Sequence, residues 1–309
     1  MNELAAAVPE PRWSIVVPVK VLARAKSRLS TRPANERVDL ARAFALDVVA
    51  TCLATPQVAL TLVVTDDEQI AELVRPQGAL VLADPLQRGG LSALNAAALA
   101  GADEAMRQRA DQPVAILAAD LPALRPADLS LALTACSRLA RAFTSDSAGL
   151  GTTMLTSGVG IRPMPRFGTR SRAAHAADGA VELTGSELSR LRCDVDTEVD
   201  LWHAVALGVG PRTAAVLDRI AARQRQRRDM ADVEVQGTVR SFDSAVRGGT
   251  VILDDGTTLR FDSHAFDIGG LRLLRPGQRV RMRVEAIEGA DVVTALTLAT
   301  FAWADGPHA

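Results

Sequence analysis

Three short stretches of the sequence carry residues of the right type and spacing for phosphate and metal chemistry. The first is PVAILAADLPAL, residues 113–124, where a run of small and apolar residues ends in Asp120. Such a run reads as a buried strand. Pro122 keeps Leu121 extended, so the carboxylate is held at the sheet edge instead of entering a helix at once. A carboxylate taken out of water without a partner is costly; it calls for a cation, a set of N–H donors or a metal ion, or else it caps the following turn. The second stretch is RCDVDTEVDL, residues 192–201. Asp194 and Asp196 stand two residues apart and share a face on an extended segment. With Asp120 they offer the oxygen ligands that Mg2+ takes beside substrate phosphates, while Asp196 is also placed to cap the next helix. The third stretch, PVKVLARAKSRLS at 18–30, puts Lys20, Lys26 and Arg28 directly after an early strand. Cations there can join backbone N–H groups and a helix dipole around a phosphate; otherwise they are the solvated charges of a surface loop.

The elements that must position these groups alternate regularly. Strand-like runs at 13–19, 59–66, 79–84 and 113–120 are followed by helix-like segments at 34–54, 68–78, 91–109 and 126–139. That alternation predicts an α/β fold, a Rossmann-like, mostly parallel sheet with helices on both faces. Ligands of such sheets bind beyond the carboxyl ends of the strands. Lys20, Asp66 and Asp67, Asp84 and Asp120 all stand at those ends. Residues 141–200 are less regular, and DVDTEVDL reads as a helix start capped by Thr197 or Asp196. There is neither a G-x-x-x-x-G-K-[ST] loop nor a G-x-G-x-x-G after the first strand, so neither a P-loop ATPase nor a dinucleotide dehydrogenase is indicated.

A chain of 309 residues accommodates one large domain and one small one. The expected division is 1–212 for the α/β domain, 213–231 for a charged helical linker, 232–303 for a small barrel and 304–309 for a tail. The barrel is read from short period-two strands separated by Gly- and Asp-rich turns such as Asp255-Gly256. Apolar residues make up 48% of the chain and tyrosine is absent, so Ala, Val and Leu fill the core. With 35 basic and 36 acidic residues, global charge argues for neither a nucleic-acid coat nor an anionic membrane surface. Cys52, Cys136 and Cys193 are widely spaced and odd in number, poor material for disulfides or zinc. The first residues lack the basic and apolar segments of a signal peptide, and no run approaches a membrane span. A cytoplasmic protein is expected.

The ordered series VPVK…AKSRLS, VVTDD, GGLSALNAAAL, ILAADLPAL, GTTML, FGTRSRAAH and DVDTEVDL, spanning roughly residues 13–207, resembles the guanylyltransferase family of coenzyme F420 biosynthesis. Its members join GMP from GTP to 2-phospho-L-lactate or phosphoenolpyruvate on a nucleotidyltransferase fold similar to glycosyltransferase type A. The resemblance implies that Asp120, Asp194 and Asp196 hold Mg2+. It implies that Lys20, Lys26 and Arg28 face the GTP phosphates as catalytic cations. Asp66, Gly90 and Asn95 would lie near the nucleotide; Thr153 or Thr152, Gly168 and Ser171 would bind the acceptor's phosphate and carboxylate. Arg166, Arg170 and Arg172 surround that serine and suit a dianion. Where many members carry a Pro-Asp pair before the serine, this chain has Thr169-Arg170, so 3-phosphoglycerate stands beside the other two acceptors. His175 is read as structural. Expected partners are GTP, a small phosphorylated three-carbon acid, a second copy in a homodimer and the next transferase of the pathway, with no membrane. The competing readings are a molybdenum-cofactor or sugar-phosphate nucleotidyltransferase and a degenerate transferase serving an RNA-binding or regulatory protein.

The C-terminal stretch GTVRSFDSAVRGGTVILDDG…LRFDSHAF…LRPGQRVRMRV resembles a cold-shock domain, a five-stranded OB-type barrel. Most of the aromatics that stack nucleobases in that family are missing here. A structural, oligomerisation or docking role is therefore expected, with nucleic-acid binding as the alternative.

Overall fold

The continuous apolar runs at 13–18 and 114–117 are what a strand needs when both its faces are covered. The computed structural model describes residues 12–20, 32–85, 91–228, 234–287, 290–301 and 303. Its residues group into two compact units: 12–20, 37–196 and 203–213 form one, and 32–36, 197–202 and 214–303 the other.

The first unit is built on a seven-stranded sheet. In chain order its elements are β1 (Trp13–Pro18), α1 (Ala34–Ala54), β2 (Val58–Val64), α2 (Glu68–Val74), β3 (Leu80–Leu82), α3 (Leu91–Gln108), β4 (Val114–Leu117) and α4 (Pro126–Cys136). They continue with β5 (Arg141–Ser145), β6 (Thr152–Ser157), α5 (Ser171–Ala177), β7 (Val181–Glu182) and α6 (Ser189–Arg192); α7 (Glu198–Leu207) is counted with the second unit up to Trp202 and with the first from His203, and α8 (Pro211–Arg228) with the second from Ala214. The strand order is β3-β2-β1-β4-β6-β5-β7. The β1–β2, β2–β3, β1–β4 and β5–β7 pairs are parallel, and β6 runs antiparallel to both its neighbours.

Alternate residues of the central strands serve opposite faces. Ile15 and Val17 join Ala45, Val48, Leu129 and Leu133 on one side. Val16 joins Ala98, Ala102 and Phe143 on the other. The α3 side is tight: a Cβ on Gly101 would lie 2.4 Å from Val16 Cγ1 and 2.7 Å from Val64 Cγ2. Gly101→Ala should therefore destabilise the protein by roughly 1–2 kcal/mol in a urea titration, because overpacking outweighs the helix-propensity gain of alanine. An unchanged or raised midpoint would show that α3 can shift to accommodate the methyl.

The segment expected as a charged helical linker begins as a well-anchored helix. Buried Asp47 on α1 accepts the N–H groups of Arg212 (3.1 Å) and Thr213 (2.9 Å), the otherwise orphaned donors of the first turn of α8. Val216, Leu217, Ile220 and Ala221 are buried as well. The three cysteines are free and buried, and burial pushes the Cys52 thiol up to about 12 and the Cys136 thiol to about 11. Among the described residues no helix is long and apolar enough to cross a membrane.

The second unit carries a five-stranded antiparallel sheet: β8 (Glu234–Asp243), β9 (Gly248–Leu253), β10 (Thr258–Phe261), β11 (Arg279–Ile287) and β12 (Ala290–Leu298), with α9 (Ser263–Ile268) after β10. The order β10-β9-β8-β11-β12 curls into a half-barrel consistent with an OB-like unit. Period-two alternation sends Val280 and Met282 inward between Arg279, Arg281 and Arg283. Phe242 stacks on both Phe261 and Phe266, which are buried in the core.

Candidate active site

The chain enters the sheet at its centre, fills β2 and β3 on one side, and then returns to place β4 on the other side of β1. The order reverses between β1 and β4, and the crevice beyond the carboxyl ends of two such strands is where an open α/β sheet takes its ligand. The register Ser14↔Val114 to Val16↔Ile116 brings Lys20 and Asp120 to one height, each four residues past the last pair. Lys20 is exposed and Asp120 half-buried. Asp120 is not a helix cap. That role on α4 falls to Arg125, whose N–H donates to the Asp128 carboxylate (3.1 Å).

The Asp194–Asp196 segment reaches the same edge, because the Val195 N–H donates to the Asp120 carbonyl (3.0 Å). Cys193 and Val195 are buried at 1% and 0% exposure, while Asp194 and Asp196 are half-buried. That alternation sets the two carboxylates on the opposite face of an extended segment from the buried pair. The cap of α7 is Thr197, not Asp196. The Thr197 N–H and hydroxyl donate to the Asp200 carboxylate (2.7 and 2.8 Å), and Thr197 Oγ1 accepts the Asp200 N–H (3.3 Å). Among the described residues no group of three or more His, Cys, Asp and Glu side chains could by itself hold a metal ion. Asp120, Asp194 and Asp196 are no exception: the Val195–Asp120 bond brings them to one edge as separate oxygen donors and not as a formed site. Such a set fits Mg2+, which takes one or two carboxylates and completes its shell from water and substrate phosphates.

On the other flank, β6 begins beside the end of β4, with the Ala118 N–H donating to the Thr153 carbonyl (2.8 Å). Between Thr144↔Met154 and Ser145↔Thr152 the ladder carries one extra residue on β6. This bulge re-aims side chains, so strict alternation cannot tell Thr152 from Thr153. Both are buried. Thr153 Oγ1 reaches the Thr144 carbonyl at 3.4 Å, a long contact. Thr152 Oγ1 lies 2.9 Å from His175 Nδ1, and His175 Nε2 accepts the Arg166 N–H (2.9 Å). Because Nε2 accepts, the neutral ring carries its proton on Nδ1 and donates it to Thr152. Burial, with Arg166 adding to it and Asp178 opposing, depresses the His175 pKa to about 4. His175 is a neutral tie between β6 and the 161–170 loop, as the sequence reading expected of a structural histidine.

Asn95 completes that tie. Its amide donates to the Phe167 carbonyl (3.1 Å) and its oxygen accepts the Phe167 N–H (2.8 Å). The side chain expected near the nucleotide thus holds the backbone that leads into Gly168. Gly168 has φ +153°, a region that side chains disfavour, and its carbonyl accepts the Ser171 N–H (3.0 Å). Ser171 precedes His175 by one turn on α5, so the two share a face. Its hydroxyl is buried and has no hydrogen-bond partner among the described residues. The buried hydroxyls of Thr144 and Ser145, at the end of β5, are in the same position; the sequence reading passed them over.

The arginine cluster is less available than its sequence suggests. Arg166 donates to Asp178 (2.8 Å) and Arg172 to Glu182 (3.0 Å), while Arg170 is exposed. Half-buried Arg192, next to the aspartate pair, donates to the Asp146 carbonyl (3.1 Å); its place at this edge was not read from the sequence either. Asp66 accepts the Asp84 N–H (3.0 Å) and Asp67 caps α2 through the Ile70 N–H (3.2 Å), so both carboxylates brace the β2 and β3 ends. Lys26, Arg28 and Gly90 lie outside the described residues.

Residues 13–171 match the family described as Guanylyl transferase CofC like. A phosphoenolpyruvate guanylyltransferase of Streptomyces coelicolor is 52% identical over 210 residues, 68% of this chain and 97% of that one. The enzyme of that name from Thermomonospora curvata is 46% identical over 213 residues, 69% of this chain and 92% of that one. A solved protein from Desulfovibrio desulfuricans, named after the nucleotide-diphospho-sugar transferases, is 18% identical with a TM-score of 0.51. It covers 69% of this chain and 97% of that one, a likeness of fold alone. A nucleotidyltransferase-type sheet, oxygen donors at its switch point and a match of this extent lead to one conclusion: the chain belongs to the CofC-like guanylyltransferase family.

Proposed function

We propose that this protein transfers the guanylyl group of GTP to phosphoenolpyruvate, with release of pyrophosphate, in coenzyme F420 biosynthesis. The observation that carries the reading is the β1–β4 switch point, where Lys20 and Asp120 emerge together and the Val195–Asp120 bond brings in Asp194 and Asp196. The acceptor's phosphate oxygen attacks the α-phosphorus of GTP. The bond from that phosphorus to the bridging oxygen breaks, and pyrophosphate leaves with the electron pair. No protein nucleophile is required, so the residues act by positioning and by neutralising charge.

Lys20, with Lys26 and Arg28, meets the triphosphate, and Asp66, Gly90 and Asn95 lie along the nucleotide. Thr153, Gly168 and Ser171 hold the acceptor. Asp120, Asp194 and Asp196 would hold Mg2+, which when bound supplies Lewis-acid polarisation of the phosphates. The transferase occupies residues 1–212 and the barrel 232–303. The protein works in the cytoplasm, as a homodimer that passes its product to the next transferase of the pathway.

The test is pyrophosphate release from GTP and Mg2+ with phosphoenolpyruvate, 2-phospho-L-lactate or 3-phosphoglycerate. A parallel assay, coupled to the next pathway enzyme, captures unstable products. Release with phosphoenolpyruvate alone is expected; silence with all three in both formats would sink the reading, and release with another acceptor would reassign it. Ser171→Ala sharpens the test. Removing a buried hydroxyl that has no protein partner among the described residues should leave stability within about 1 kcal/mol of wild type. The acceptor KM should rise about tenfold or more, as for a lost charge-assisted hydrogen bond. An unchanged acceptor KM would remove Ser171 from the site.

A further inference from the structure

Glu198 and Trp202 stand four residues apart on α7 and share a face of it. Inside the second unit, that face meets the turn that follows β9. Arg32, just ahead of α1, donates Nε to Glu198 Oε1 (2.5 Å) and Nη2 to Glu198 Oε2 (2.8 Å). The same Nη2 lies 3.5 Å from the Asp254 carbonyl and 3.8 Å from its carboxylate. Both Nη atoms of Arg279, on β11, donate to the two carboxylate oxygens of Asp254. Glu36 adds a carboxylate 3.6 Å from Arg32. Two residues past Asp254, Gly256 has φ +86°, and a Cβ there would lie 2.9 Å from Trp202 Cζ3. Arg32 is 2% exposed and Glu198 and Asp254 5% each. Burial acts to lower the Arg32 pKa, but the Glu198 hydrogen bond and the surrounding carboxylates outweigh it and hold the guanidinium above its ordinary value.

A buried ionic network of this kind adds little net stability, because desolvation offsets the attraction; removing one partner, however, strands a buried charge. What the network enforces is one geometry for the segments it joins. Glu198 follows Asp196 by two residues, and Arg32 follows Arg28 by four. The segments the network fixes, 32–36 and 197–202, are therefore the ones that follow the early cations and the aspartate pair in sequence. The barrel half of the network is also an addition: 68% of this chain already accounts for 97% of the Streptomyces coelicolor relative.

We propose that the C-terminal barrel is a positioning device for the transferase, with Asp254 and Arg279 holding Arg32 and Glu198 so that the residues just before them meet Mg2+ and GTP correctly. Arg32, Glu198, Trp202, Asp254 and Arg279 are positioning residues. The proposal rests on the functional reading above for the roles of Lys26, Arg28, Asp194 and Asp196.

The test uses full-length Asp254→Asn in two measurements. Hydrogen exchange without nucleotide reads the clamp, and protection at residues 32–36 and 197–202 should fall by about tenfold or more. Calorimetry and steady-state kinetics read the positioning: Kd and KM for Mg·GTP should rise about tenfold, a typical coupling, with the acceptor KM unchanged, since Thr153, Gly168 and Ser171 lie on other elements. Arg279→Lys keeps the charge but gives up the two-pronged geometry; it should show smaller shifts of the same kind and replaces Asp254→Asn if that variant does not fold. Unchanged protection at the two segments overturns the clamp. Faster exchange with an unaltered Mg·GTP Kd overturns the positioning role, leaving a network that only steadies the barrel. Wild-type protein that binds no Mg·GTP counts against the proposed function and the positioning role with it, whereas the exchange result still judges the clamp.

Discussion

Asp120→Asn should lower guanylyl transfer by about a thousandfold or more while leaving the protein folded. The size follows from the proposed role of Asp120 as a ligand of Mg2+, whose charge would neutralise the phosphates in the transition state, an effect of about 4 kcal/mol. The fold should survive because asparagine has nearly the size and shape of aspartate and leaves the backbone of the segment unchanged. Val195 donates to the Asp120 carbonyl, and asparagine keeps that carbonyl. The side chain does not cap α4, which begins six residues later, at Pro126, behind the Arg125–Asp128 bond. The measurement is pyrophosphate release at saturating GTP and acceptor, beside a thermal melt of each protein. A melt within about 2 °C of wild type, which for a domain of this size means under about 1 kcal/mol, together with lost turnover, locates the defect in the chemistry. Retained turnover would remove Asp120 from the metal set and leave the switch point without its central carboxylate.

Stability should fall steeply as the pH drops from about 6.5 to about 4, and His175 should supply much of that slope. Its folded-state pKa is depressed to about 4 from an ordinary 6.5. Between those values the unfolded chain binds a proton that the folded chain refuses, so unfolding is favoured progressively as pH falls. The stabilisation is complete above about 6.5 and lost below about 4, and it amounts to roughly 3 kcal/mol. The cause is the ring's surroundings: Nε2 must accept the Arg166 N–H, and the ring lies 5.8 Å from Phe143 and 5.5 Å from Phe167. His175→Ala should cost roughly 3 kcal/mol at pH 7.5, since it opens a cavity and leaves Thr152 and the Arg166 N–H unpaired. It should also flatten the acid limb between 6.5 and 4. A variant whose acid limb kept its wild-type slope would assign that limb to other groups.

The placement of the candidate residues at the sheet edge was legible because they sit where local pattern ends. An apolar run stops at Asp120, a proline keeps the chain extended, and a two-residue spacing sets Asp194 beside Asp196. Those are properties of a few consecutive residues, and the order of the motifs along the chain did the rest. Asn95 shows the limit. It lies at the start of a helix near a Gly-rich stretch, and no local pattern tells that its amide bonds the backbone of Phe167, 72 residues away. Arg166 and Arg172 make a basic cluster in sequence and two ion pairs in space.

By itself, the sequence determined the α/β class, the family and the positions of Lys20, Asp120, Asp194 and Asp196 at strand and segment ends, because hydrophobic period and motif order are carried by neighbouring residues. Tertiary structure alone decided the reversal of strand order between β1 and β4 and the bulge that separates Thr152 from Thr153. It also decided the pairing of Asp47 with the start of α8 across 165 residues, and of Arg32 with Glu198 across 166. Such contacts depend on sheet register and on which helix covers which face. No local period encodes either, so a buried charge finds its partner only once the chain has closed around it.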